Sequence, residues 1–250
     1  MAVRRPLPLT LMAMVREVEP EYLPSSSAKV SFPKMTYEQF LGTVPEDVHA
    51  EWVDGEVVPM TPVSSAHSKL SLFLSALLLH CVETRNLGTV FCEPFQMKTG
   101  PNLPGRSPDL LFVSKKRLHH VKKNYLQGPA DLVVEIISPD SRARDRGEKF
   151  YEYEQGGVRE YWLIDPEAET VEVLHLESGT YQLVGRWHPG ARAQSRLLKG
   201  FEYTARYNLG QDVPFVAHVD TTGKYRHEKT STQQRGKLRA LVLNLDEALE

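Results

Sequence analysis

The chain has 250 residues, 41% hydrophobic and 25% charged, so it is long enough for one generous domain plus additional ends and too apolar to be mostly disordered. Thirty Lys and Arg against 32 Asp and Glu give a net charge of −2, which argues against coating nucleic acid by bulk electrostatics but leaves room for a local basic groove. The two cysteines, Cys81 and Cys92, have neither zinc-like nor redox spacing, and the cytoplasm is the expected compartment.

Residues 1–33 carry Pro6, Pro8, Pro20, Pro24, Pro33 and the run Ser25-Ser26-Ser27, and read as a flexible leader. Arg4 and Arg5 before Leu7–Val15 faintly resemble a secretory signal, but Pro6 and Pro8 interrupt the apolar run and no small-residue cleavage site follows. The folded body is expected over 34–208. Thr36 is a plausible N-cap for a short helix. Asp54-Gly55 inside Glu51–Val58 predicts a tight hairpin. Leu70, Phe73, Leu74, Leu77, Leu78 and Cys81 repeat at helical spacing, predicting an amphipathic helix over 65–85. The charge-free part of that stretch, Leu70–Val82, is shorter than the ~20 residues a bilayer needs, and no membrane association is expected.

Strands are predicted over 89–97, 108–113 and 131–137, then a helix from about Arg146 to Gln155 closed by Gly156-Gly157, then strands over 159–164, 170–176 and 180–186. This order predicts an α/β (α+β) fold in which a mixed β-sheet is flanked by helices. Residues 209–250 form a polar tail that regains helical spacing at Leu238, Leu241, Leu245 and Leu249, an amphipathic element suited to docking or to a homodimer.

One strand carries an anomaly. Glu135 lies amid Val133, Val134, Ile136 and Ile137, and burying a carboxylate there is costly unless it is paired, protonated or metal-bound. Period two sets Val133, Glu135 and Ile137 on one face, and Glu135 could still sit at the strand's exposed end. Asp109 opens another strand after Pro108. If the two strands are neighbours, both acids converge at one sheet edge, an arrangement that suits Mg²⁺ or Mn²⁺. Lys149 lies near the start of the Arg146 helix, where Asp145 and Glu148 have capping-box spacing; it could serve phosphate chemistry or simply pair along the helix surface. The Lys115, Lys116, Arg117, Lys122, Lys123 run reads as a phosphate-contacting loop or as a solvated surface. Arg142, Arg144 and Arg146 stand where a phosphate backbone would pass. Tyr153, Tyr161 and Trp162 read as core.

Four segments together resemble the Uma-two family of restriction endonucleases within the PD-(D/E)xK nuclease superfamily: Ser107-Pro108-Asp109, Asp131 to Pro139, Asp145 to Tyr151 and Gly157 to Asp165. Tyr37 to Phe40, Glu51 to Glu56, Pro62 to His67 and Ser195 to Phe201 are similar to it too, so the resemblance covers about 34–208. It implies a restriction-endonuclease-like fold and Mg²⁺-dependent hydrolysis of DNA phosphodiester bonds, with Mn²⁺ able to substitute. Asp109 and Glu135 match the acids of the superfamily motif. Its lysine position holds Ile137 instead, and Lys149 on the next helix matches the family's substitute. Glu51 matches an acidic position implied to approach the metal, or is a strand residue facing solvent. His67 fits the pattern without reading as a ligand. Dimers are common among relatives. The alternative is a catalytically silent nuclease-fold module that binds nucleic acid or another partner, and RNA or a single strand is a third reading of the substrate.

Overall fold

The computed structural model describes residues 32–45 and 48–204. Most of the 1–33 leader, and all of the 209–250 tail with its expected helix, lie outside the described residues.

The chain opens with α1 (Tyr37–Thr43), where Thr36 accepts from the Gln39 N–H and the Gln39 side chain accepts from the Thr36 N–H in a capping box. The hairpin β1 (Ala50–Val53) and β2 (Glu56–Pro59) turns through Asp54 and Gly55 at φ 49° and 88°. Positive φ at both turn residues is what Asp-Gly tolerates best. Helix α2 (Ser65–Thr84) follows, then β3 (Gly88–Cys92) and β4 (Gln96–Lys98). The single strand expected over 89–97 is therefore two. Pro94 has no N–H for a ladder, and the halves join different sheets.

Next come β5 (Gly105–Arg106), β6 (Leu110–Ser114), a 3-10 helix (Lys115–His120), β7 (Tyr125–Gln127) and β8 (Leu132–Ile136). The helix expected from about Arg146 to Gln155 is α4 (Glu148–Gly156), preceded by a short α3 (Arg142–Arg146) that the sequence reading did not separate, with Gly147 at the break and Gly157 ending α4 at φ 85°. Asp145 thus sits in the last turn of α3 rather than capping α4. The remaining strands are β9 (Glu160–Asp165), β10 (Thr170–Glu177), β11 (Thr180–Trp187), β12 (Arg192–Gln194) and β13 (Glu202–Thr204).

The fold is mixed α+β, but with two large sheets rather than one: a five-stranded sheet in the order β2-β1-β5-β4-β7 and a six-stranded sheet in the order β11-β10-β9-β8-β6-β3. A small ladder joins β12 and β13. Strand β8 is central in the larger sheet, antiparallel to β6 and parallel to β9. One face puts Leu132, Val134 and Ile136 against Leu70, Leu74 and Leu78 of α2. The other puts Val133 and Ile137 with Tyr153, Tyr161 and Leu163. Burial on both faces explains why β8 reads as an almost continuous apolar run. Helix α2, at 20 residues, is longer than its charge-free centre; by length and composition it could cross a membrane, a test that core helices also pass.

Candidate active site

The β6–β8 register pairs Leu110 with Val134, so one further step sets Asp109 opposite Glu135 at the end of the ladder. The backbone locks this in place, because Asp109 Oδ2 accepts from the Ile136 N–H at 2.6 Å. The Pro108-Asp109 and Glu135 segments are thus neighbours. Glu135 itself is buried, 3% exposed, instead of lying at an exposed strand end.

Helix α4 supplies the partners. Lys149 and Tyr153 are four apart and share the helix face that meets β8. Lys149 Nζ donates to Glu135 Oε1 at 2.9 Å, and the Tyr153 hydroxyl donates to the same oxygen at 2.8 Å. Lys149 therefore does not lie along the helix surface; its side chain is 2% exposed. Glu51 Oε1 stands 3.5 Å from the same ammonium and Asp145 Oδ1 3.4 Å from it. Asp145 Oδ1 is buried without a hydrogen-bond partner.

Glu51 is fully buried in β1, not facing solvent. Its Oε2 accepts from Arg106 at 2.8 Å and its Oε1 from the Ser107 N–H at 3.2 Å. Arg106, 2% exposed, also holds Glu152 through two hydrogen bonds of 2.7 and 2.6 Å, tying β5 to both β1 and α4. His67, near the start of α2, meets Asp109: its Nε2 is 3.0 Å from Oδ1. Glu93, in the turn between β3 and β4, joins the same wall.

Asp109, Glu135, Glu93, Asp145, His67 and Lys149 line one cavity of about 340 Å³. Carboxylates outnumber cations there, and the protonation of the group follows. Burial, with the nearby charges of Asp145 and Asp109, outweighs Lys149 and pushes the Glu135 carboxyl up to about 8. Burial would pull the Lys149 ammonium down, but Glu135, Glu51, Asp145 and Asp109 push it up, so it stays charged. Burial would raise Glu51, yet Lys149 and Arg106 hold it below the usual carboxylate range. Glu93 is raised by burial and by Asp109. His67 is raised because its hydrogen bond and charge interaction with Asp109 outweigh burial.

Among the described residues no group of three or more His, Cys, Asp or Glu side chains is gathered to hold a metal ion as it stands. The donor set nevertheless suits a hard divalent cation. Mg²⁺ is commonly held by one or two carboxylates, with water and phosphate completing its shell. A cluster rich in buried oxygens, one of them an orphan and one carboxyl holding a proton for want of positive charge, has the chemistry that such an ion satisfies.

A larger groove, about 1120 Å³, runs along α1 and the hairpin. Its aromatic wall is itself a small core: Tyr37 packs edge-on against Trp52 and Tyr125, and Trp52 Nε1 donates to the Met35 carbonyl. Lys98 is bound to the Pro101 and Leu103 carbonyls. The acid cluster lies elsewhere.

Sequence reasoning passed over Tyr153, Arg106 and Glu93 as site residues. Tyr153 was within reach, since it follows Lys149 by one helical repeat. Tyr161 and Trp162 are core residues as expected. Arg142 is bound by Asp165 and Glu167, and Arg146 by Glu172 and Asp165, so neither extends freely toward a passing backbone. The 3-10 helix carries Lys115, Lys116 and Arg117, and Arg117 faces Asp131 at 3.7 Å.

Among solved structures, a crystal structure of a putative nuclease belonging to DUF820 from Anabaena variabilis ATCC 29413 is similar to this chain, with a TM-score of 0.56 and 19% identity over 66% of this chain and 90% of that one. It shows a shared fold. No curated protein matches significantly. The model of the Uma2 family, described as "Putative restriction endonuclease", matches residues 35–206, well over half of the sequence. The chain belongs to the Uma2 family.

Proposed function

We propose that this protein is a metal-dependent endonuclease that hydrolyses DNA phosphodiester bonds. The observation that carries the reading is the convergence of Asp109, Glu135 and Lys149, from three separate chain segments, on one cavity. Asp109 and Glu135 would hold Mg²⁺, or Mn²⁺ in its place. When bound, the ion supplies Lewis-acid polarisation of a phosphoryl oxygen and a water of lowered pKa. The chain's own residues do the rest. Lys149 stays charged and donates to the attacking water or to the oxygen on which negative charge develops. Tyr153 fixes Glu135 Oε1 and so orients the carboxylate. His67 and the Ile136 N–H do the same for Asp109.

Glu51 is the third carboxylate that family likeness sets near the metal. Its Arg106 and Ser107 contacts favour a different task, holding Lys149 on one side while Glu135 holds it on the other. It reaches a cation only by releasing one of them. The cytoplasm is the proposed compartment and DNA the proposed partner. A second copy of the chain would supply the second cut on a duplex.

The test is nicking or linearisation of plasmid DNA by the purified full chain in Mg²⁺ and in Mn²⁺. Cleavage should vanish in Asp109→Ala and in Glu135→Ala. Unchanged cleavage in both variants would overturn the assignment of this site, and no cleavage by the parent chain would return the protein to the alternative, a nuclease-fold module that binds without turnover.

A further inference from the structure

The three arginines between β8 and α4 have similar surroundings in sequence and different ones in space. Arg142 and Arg146 are each captured by two carboxylates. Arg144 makes no ion pair or hydrogen bond among the described residues, although it shares a cavity wall with Asp109, Glu135, Asp140, Asp145 and Glu167. Its Nε is buried and without a partner. A buried, unbonded N–H of a permanently charged group is costly and calls for an acceptor. An anionic acceptor entering the cavity that Lys149 also lines would satisfy both the N–H and the charge.

We infer that Arg144 binds a phosphate group in the cavity, holding the non-bridging oxygens of the scissile phosphodiester opposite Lys149. The inference rests on the phosphodiesterase reading for the identity of the ligand, but not for the existence of an anion site. Guanidinium geometry supports it: a planar fork donates two parallel hydrogen bonds to phosphate, whereas an ammonium offers a point charge. Lys149 is shared among three carboxylates, so a second cation adds to what it can offer the substrate's charge. Arg144 is the cavity-lining cation left to do so.

Two measurements on the full chain test this. In a ¹⁵N–¹H spectrum of arginine side chains, the Nε–H signal lost in Arg144→Lys should shift when inorganic phosphate is titrated in with Mg²⁺ present. In plasmid cleavage, Arg144→Gln should lower kcat/KM by about 100-fold, mostly through kcat, because the contact tightens as charge builds on the phosphoryl oxygens. Arg144→Lys should restore part of the loss. Arg192→Gln, which removes a surface pair with Glu202, should leave cleavage unchanged. The inference is overturned if the Arg144 signal ignores phosphate, or if Arg144→Gln cleaves as well as Arg192→Gln. A phosphate-induced shift in a protein that cleaves no DNA would sink the nuclease reading and keep the anion site.

Discussion

Adjacent strands of the larger sheet each bury a glutamate, and the two are treated in opposite ways. Glu160 on β9 receives four donors: the Ser195 hydroxyl at 2.6 Å, Trp162 Nε1 at 2.8 Å, and the Arg196 and Leu197 N–H groups at 2.9 Å each. Glu135 on β8 receives two, both on one oxygen, and shares their source with other carboxylates. Glu160 is finished: its charge is fully solvated by protein and clamps the Ser195–Leu198 turn to the sheet. Glu135 is incomplete, and burial pushes its carboxyl up to about 8. A buried carboxylate saturated with donors is architecture, and one that lines a cavity among other acids has unmet demand for positive charge, which the proposed function assigns to a cation.

Substitutions should separate the two glutamates cleanly. The largest effect falls on turnover. Glu135→Gln, like Asp109→Ala, should reduce plasmid cleavage by roughly 10³-fold or more, since it strikes the residues that would hold the metal. The same Glu135→Gln should not lower folding stability at pH 7, because the native carboxyl already carries a proton there that the unfolded chain has lost and must take up again. Substantial unfolding of Glu135→Gln in urea, at unchanged activity, would reverse the roles assigned to the two positions.

Lys149→Met comes next. It takes the shared ammonium from Glu135 and Asp145 and leaves Glu51 with Arg106 alone, and breaking a buried ion pair from one side costs about 3–5 kcal/mol. Denaturation at pH 5 and pH 8 checks the cause: the loss should be smaller at the lower pH, where Glu51 and Glu135, no longer lowered by the ammonium, take up protons more readily. Glu160→Gln should cost about 1–3 kcal/mol, because its amide turns donors toward the Arg196 and Leu197 N–H groups. With Mg²⁺ at saturation, its kcat should match that of the parent protein.

The contrast also shows how much could be read before the fold was known. A glutamate inside Val133–Ile137 is a local anomaly, legible because a single strand both creates and exposes it. The neighbouring element, α4, follows closely enough in the chain for Lys149 to be legible too. Arg106 was not, since its partners Glu51 and Glu152 lie 55 and 46 residues away and only the β1–β5 pairing and the approach of α4 bring them together. His67 and Asp109 are 42 residues apart and meet where α2 packs on the larger sheet. The short helix α3 ahead of the predicted 146–155 helix was missed because it turns on Gly147, a residue that permits a break without requiring one. Glu160 sat unnoticed within a family-like segment, and its tie to Ser195–Leu198 gives a structural reason for two segments that carry the likeness to be kept together.

The smallest effect is a pH dependence of metal binding. Glu135 holds its proton up to about pH 8, whereas an unfolded glutamate loses it near its ordinary value. Between those two pH values the folded protein without metal binds more protons than the unfolded chain, so its stability falls as pH rises through the window and levels off above about 8. A cation bound by Glu135 must displace that proton. Its affinity therefore rises with pH below about 8, by at most tenfold per unit, or about 1.4 kcal/mol, and flattens above it. Calorimetric Mn²⁺ titrations at pH 6, 7 and 8 in buffers of different ionisation enthalpy should report more proton released per ion at pH 6 than at pH 8. In Glu160→Gln the profile should be unchanged, because that carboxylate has no part in the cluster. Flat affinity across this range would mean that the ion, if bound, leaves Glu135 protonated, and the incomplete carboxylate would then have to be completed by something other than metal.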